Sequence, residues 1–113
     1  MANDESGQLN MRSDKLADLV SGDTVRASRA LLFLTYEDPD RKWLESLLLD
    51  QLNEDVDPQL RALAVTCMGH IGRMRGVVGG RIVSALEGLV GDVALGGIAE
   101  DALGDIRHFA VVE

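Results

Sequence analysis

The sequence predicts an all-α protein in which about six helices pair into three stacked helical hairpins. Aromatic residues make up only 4% of the 113 residues, while Leu, Ala and Val are abundant, and this composition favours helices over a β-sandwich. A pattern recurs at Asp23, Asp57 and Asp92, which lie 34 and 35 residues apart, and such a period is typical of repeat proteins. Apolar residues within the copies follow the 3.6-residue period of a helix.

The repeat is clearest in the segments 57–71 and 92–106. Both follow the pattern Asp-x-x-Leu-x-x-x-Ala-x-x-x-Met/Leu-Gly-x-Ile, and a weaker copy begins at Asp23. A Leu-x-x-Leu element precedes each copy. We expect each aspartate to accept hydrogen bonds from the free N–H groups of the following helix, where its charge also suits the helix dipole. The unit is therefore a helix, an acidic turn and a second helix.

These signals divide the chain into a tail and one domain. We predict a disordered polar tail over residues 1–10 and a single repeat domain over 11–113. The predicted helices cover residues 11–20, 23–36, 40–53, 57–73, 80–90 and 92–109. We interpret the glycine-rich stretch 76–80 as a flexible turn between the second and third units. The glycines at positions 96, 97 and 104 are expected to allow close helix packing.

The two clear copies resemble the second helix of a HEAT repeat. The matching residues are Asp57, Leu60, Arg61, Ala64, Met68, Gly69 and Ile71, and then Asp92, Leu95, Ala99, Leu103, Gly104 and Ile106, with Gly96 in place of the arginine. The resemblance implies a right-handed α-α superhelix of the HEAT or armadillo kind and a role as a binding scaffold. The repeat is shorter than the roughly 40–47 residues usual for such units, while the tetratricopeptide and ankyrin signatures are absent.

In its small size, its acidity and this architecture, the chain resembles the immunity proteins of polymorphic toxin and contact-dependent growth inhibition systems. That resemblance implies a non-catalytic protein that neutralises a basic toxin domain, often a nuclease, by covering it. A HEAT-like scaffold or adaptor subunit of a larger assembly is the alternative. An accessory protein of the lyase type is a third and less favoured interpretation.

The charge balance restricts the partners. The chain has 11 Lys and Arg residues against 19 Asp and Glu residues, so its formal net charge is −8. Such a chain repels nucleic acid and anionic membranes and attracts a basic protein, which is the partner we predict. The N-terminus lacks the basic and apolar regions of a signal peptide, and the single Cys67 cannot form an internal disulfide. We therefore expect a cytoplasmic protein.

Acidic residues are concentrated between positions 37 and 57, where only Arg41 and Lys42 oppose eight acids. This pattern predicts an acidic patch that attracts a cationic partner, with Trp43 or Tyr36 as an aromatic anchor. The alternative is an ordinary solvated surface with helix caps, in which Asp57 is a cap and Trp43 packs between helices. The predicted partner-binding residues are Glu37, Asp38, Asp40, Trp43, Glu45, Asp50, Glu54 and Asp55.

No residue pattern predicts catalysis, a cofactor or a metal site. His70 and His108 do not fall in a metal-ligand spacing. Cys67 lies on the apolar face of its helix, so we expect a buried and inert thiol. The stretch 76–80 lacks the Gly-Lys-Ser/Thr end of a phosphate-binding loop. We therefore predict that the protein is not an enzyme.

Overall fold

The computed structural model describes the backbone of residues 3–113 and the side chains of residues 11–113. Within this part of the chain six helices form, which confirms the predicted all-α class. They are α1 (Asn3–Leu19), α2 (Thr24–Glu37), α3 (Arg41–Asp50), α4 (Pro58–Arg75), α5 (Gly80–Leu89) and α6 (Gly96–Phe109). The predicted polar tail falls on residues 1–10, of which the first two, and the side chains of all ten, lie outside the described residues.

The helices pack as three hairpins in two layers. Helix α1 packs against α2, α3 against α4, and α5 against α6. The second helices form one layer, in which α4 contacts both α2 and α6, while α3 contacts α5 in the other layer. Short connections make consecutive helices antiparallel. The result is a flat slab whose principal extents are 45 × 32 × 17 Å.

Aspartates begin three of the helices, and two of them, Asp23 and Asp57, are the ones that the sequence repeat predicts. The Asp23 carboxylate accepts hydrogen bonds from the first backbone N–H groups of α2, Asp40 does the same for α3, and Asp57 for α4. Asp92 also accepts hydrogen bonds from the N–H groups of Ala94 and Leu95, but the regular helix begins only at Gly96. The predicted start of the last helix at residue 92 is therefore four residues early.

Helix α4 lies at the centre of the core and packs most closely against α6. Gly69 and Gly72 make this approach possible, since a Cβ atom at Gly69 would lie 3.1 Å from the Cα of Ala102, and one at Gly72 would lie 2.9 Å from Cγ1 of Ile106. The glycines predicted to serve close packing differ among themselves. A Cβ at Gly96 would overlap the carbonyl oxygen of Val90, whereas positions 97 and 104 face open space.

The glycine-rich stretch between α4 and α5 is not a plain turn. Val77–Val78 forms a short strand, β1, that pairs in parallel with β2 (Val111–Val112). The N–H of Val111 donates to the carbonyl of Gly76 over 2.9 Å, and the N–H of Glu113 donates to that of Val78 over 2.8 Å. Val78 is fully buried. The C-terminal segment therefore fixes the junction between the second and third hairpins, which corrects the prediction of a flexible turn.

Candidate functional site

The hairpin arrangement gives the slab two chemically different ends. Because consecutive helices are antiparallel, the turns inside the three hairpins lie at one end, and the connections between hairpins lie at the other. We call the first end the turn edge; it comprises residues 20–23, 51–57 and 90–95. We call the second the connector end; it comprises residues 38–40, 76–79 and 110–113.

The acids predicted to form one patch are divided between these ends. Asp38 and Asp40 lie at the connector end, next to Glu37 at the end of α2, whereas Glu54 and Asp55 lie at the turn edge, next to Asp50 at the end of α3. Helix α3 separates the two groups; its 10 residues span roughly 15 Å at 1.5 Å per residue. The sequence places these acids close together along the chain, but the fold does not bring them onto one surface.

Asp38 is buried at the connector end and paired inside the protein. Both of its carboxylate oxygens accept hydrogen bonds from Arg12, each over 2.9 Å, and one also accepts the N–H of Asp40. The hydrogen bond to Asp38 raises the pKa of Arg12 above its usual range. The Arg12 guanidinium also lies 3.8 Å from the centre of the Trp43 ring, a cation–π contact. Asp38 and Trp43 thus join α1 to the start of α3.

Glu45 is likewise buried and engaged. Its Oε2 atom accepts a hydrogen bond from Arg41 over 2.7 Å and another from the backbone N–H of Gly79 over 2.9 Å. The hydrogen bond to Glu45, together with one to Glu113, raises the pKa of Arg41. The carboxylate therefore ties α3 to the junction before α5. A carboxylate in this position is not free to meet a partner.

Glu37, Asp40, Asp50, Glu54 and Asp55 remain exposed. Asp40 also caps α3 by accepting the Trp43 N–H over 3.1 Å. The alternative interpretation from the sequence, in which caps and packing explain part of the acidic segment, therefore describes Asp38, Asp40, Trp43 and Glu45, and also Asp57, which caps α4. The exposed acids that neither cap a helix nor pair inside the protein are concentrated at the turn edge.

A groove opens on the turn edge between the first and second hairpins. It has a volume of about 280 Å³. Buried Leu19, Ala27 and Leu60 form its apolar floor, and Val20, whose residue surface is 81% exposed, stands at its rim. The carboxylate-bearing caps Asp23 and Asp57 also line it. The groove thus combines an apolar floor with a negatively charged rim.

The charge around this groove is one-sided. Its ten lining residues include two carboxylates and no basic residue. Glu54 and Asp55 extend the acidic surface along the loop before Asp57. Arg26, the third residue of α2, forms an ion pair with Asp18 at 3.1 Å. An acidic groove of this kind favours a basic segment that also carries an aliphatic side chain.

The sequence prediction missed the groove lining. Val20 and Leu19 belong to the Leu-x-x-Leu-Val element that precedes the first acidic turn, and a related element, Leu89-Val90, precedes the third. An apolar residue two or three positions before the aspartate of an acidic turn was therefore the available signal. In the structure Val20 is exposed at the turn of the first hairpin.

Chemically reactive groups are not assembled into a site in the described part of the chain. Burial raises the pKa of the Cys67 thiol to about 11, so at neutral pH the thiol stays protonated and non-nucleophilic. His70 stacks on Tyr36 with ring centroids 5.8 Å apart, and His108 contacts Phe109. Within residues 11–113, no three His, Cys, Asp or Glu side chains are placed to hold a metal ion.

Comparison with protein-family models, with curated proteins and with solved structures finds no match to this chain. Among the described helices, none combines the length and the hydropathy that crossing a membrane requires. The candidate site is therefore assigned from geometry alone, as a groove at the turn edge with an apolar floor and an acidic rim.

Proposed function

We propose that this chain is a non-catalytic, HEAT-like protein-binding module that neutralises a basic toxin domain by covering it. One observation supports the binding part of this proposal, namely the groove at the turn edge. Its floor is apolar and its rim carries the carboxylates of Asp23 and Asp57, without a basic residue in its lining. A basic segment of the partner places an aliphatic side chain in the groove while its cationic groups meet the rim.

The energetics of such a contact divide between the floor and the rim. Removing apolar surface from water contributes roughly 25 cal/mol per Å², so the floor supplies affinity. Exposed charge pairs contribute about 0.2–1 kcal/mol each and mainly accelerate association. A net charge of −8 adds long-range attraction for a cationic protein and repels nucleic acid.

The toxin is the part of the proposal that rests on the sequence. Small size, acidity and the repeat pattern resemble immunity proteins, and a basic nuclease domain fits the charge of the groove. The alternative, an adaptor subunit of a larger assembly, is favoured by a second exposed surface at the connector end, described below. The two roles differ in whether the partner is an enzyme that loses activity when bound.

Two measurements test the proposal. The tagged protein is used to recover its partner from its own cells at low salt, and the activity of the purified partner is then measured with and without the protein. We expect a basic domain whose activity falls to zero at equal concentrations. Recovery of a neutral or acidic partner contradicts the electrostatic argument, and a basic partner without a toxic activity supports the adaptor role instead.

Charge variants then locate the contact. The double variant Glu54→Lys/Asp55→Lys is expected to bind the basic partner about tenfold more weakly. Its association rate should also depend less on salt between about 50 mM and about 500 mM NaCl. Glu100→Lys/Asp101→Lys makes the same charge change at exposed positions of α6 and is the matched control. Equal losses in the two variants would show that total charge matters and the groove does not.

A further inference from the structure

A second hollow lies at the other end of the slab, on the outer face of the α2–α4–α6 layer. Its volume is about 370 Å³, and we call it the aromatic pocket; Tyr36, His70, Arg73, Met74 and Phe109 line it. These residues come from the last two turns of α2, α4 and α6. The Tyr36 and His70 rings are in contact. Three different helices therefore deliver their side chains to one shallow site.

Large apolar side chains of this pocket remain exposed to solvent. Tyr36 is 52% exposed, Met74 is 43% exposed and Phe109 is 52% exposed. They contribute little to the core, whose large side chains are almost fully buried. Aromatic residues, Met and Arg are the types enriched where protein interfaces concentrate their binding energy. The pocket has this composition and is not needed to close the core.

The charge of the aromatic pocket is opposite to that of the groove. Its lining contains Arg73 and no carboxylate. Within residues 11–113, Arg73 forms no ion pair. Asp105 lies beside Gly69, one helical turn before Arg73, and is not paired with Arg73. Among the described side chains, the neighbouring Arg75 donates only to the carbonyl oxygens of Thr35 and Asp38. Two guanidinium groups without carboxylate partners thus lie at this end of an acidic chain.

We propose that the aromatic pocket binds an acidic segment of a partner protein. An aromatic or aliphatic side chain of that segment enters the hollow between Tyr36, Met74 and Phe109, and a carboxylate beside it pairs with Arg73. Glu37, which follows Tyr36 on α2, is exposed but does not line the pocket. The bound carboxylate therefore lies on the α4 side, away from Glu37.

This site is independent of the groove at the turn edge. The two lie at opposite ends of the helices and select partners of opposite charge. One copy of the protein can therefore hold a basic partner and an acidic partner together. That arrangement deepens the adaptor alternative, and it stands whether or not the basic partner is a toxin.

The test uses two synthetic peptides with the same apolar centre. One is acetyl-Asp-Glu-Leu-Phe-Glu-Asp-amide, and the other has Lys at each acidic position. Each is titrated into the ¹⁵N-labelled full chain while the backbone amide resonances are followed by NMR. We expect the acidic peptide to cause saturable shifts centred on Tyr36, His70 and Phe109. The basic peptide should leave these resonances in place.

Variants make the test specific. Arg73→Glu is expected to weaken the acidic peptide about tenfold or more, because it removes a charge-assisted hydrogen bond and adds repulsion. Arg81→Glu makes the same charge change at an exposed position outside the pocket and should change affinity by less than about twofold. Both substituted side chains are exposed, and thermal unfolding verifies that each variant remains folded.

Three results would overturn the proposal. The first is an acidic-peptide titration to about 5 mM that moves no resonance of the pocket. The second is an equal loss of affinity in the two arginine variants. The third is concentration-dependent self-association without peptide that Arg73→Glu abolishes, since the occupant would then be a second copy of the chain.

Discussion

Replacement of Glu45 by Gln tests the assignment of this acid to the interior of the protein. Oε2 of Glu45 accepts two hydrogen bonds, from Arg41 at 2.7 Å and from the Gly79 N–H at 2.9 Å, and the side chain is only 10% exposed. Glutamine fills nearly the same volume and can still accept both bonds, but without charge. A charge-assisted hydrogen bond is worth about 1 kcal/mol more than a neutral one, so the two changes sum to about 2 kcal/mol.

The measurement is urea unfolding, followed by Trp43 fluorescence and by circular dichroism. For a domain of 113 residues, a loss of about 2 kcal/mol also lowers Tm by about 8 °C. Asp50→Asn is the control, because Asp50 is an exposed acid on the same helix. It should change the free energy of unfolding by less than about 0.5 kcal/mol. If Glu45→Gln were as stable as the parent, or if Asp50→Asn cost as much, the reasoning would be refuted.

Three further predictions follow from single contacts. Gly72→Ala should destabilise the fold by about 1 kcal/mol, because overpacking against Ile106 outweighs the gain in helix propensity. Gly104 faces open space in α6, so Gly104→Ala should stabilise the fold by up to about 1 kcal/mol. If chemical denaturation showed that both variants shift the free energy of unfolding in the same direction, the packing argument would be contradicted. The Cys67 thiol is buried and its pKa is raised to about 11. At pH about 8 it should react with a thiol reagent at least about 100-fold more slowly in the folded chain than in urea. Rapid reaction of the folded chain would show that the thiol is not buried. Hydrogen bonds from the N–H groups of Leu95 and Ala94 lower the pKa of Asp92 from its usual value. The charged form therefore stabilises the fold above the usual pKa, and this contribution is lost as pH falls through the lowered pKa. Asp92→Asn should lose less stability than the parent between about pH 5 and about pH 2, and identical pH profiles would count against a role for these two hydrogen bonds.

The candidate site was only partly accessible from the sequence. The sequence pattern predicts one acidic patch, of which Asp50, Glu54 and Asp55 lie exposed around the turn of the second hairpin. Their apolar neighbours were missed, because Leu19 and Val20 come from another hairpin and approach Asp57 only when the hairpins stack. The roles in partner binding assigned to these acids stay predictions, which the charge variants address.

The sequence by itself determined the all-α class, the hairpin pattern and two of the capping aspartates, Asp23 and Asp57. These depend on contacts within a few residues, namely the helical period of apolar side chains and the reach of a carboxylate to N–H groups two or three residues ahead. Only the tertiary structure decided which acids remain free. Asp38 meets Arg12 from 26 residues away, and Glu45 meets the Gly79 N–H across 34 residues. Local sequence carries no signal for such pairings, because they form only where stacked hairpins bring distant backbone and side chains together.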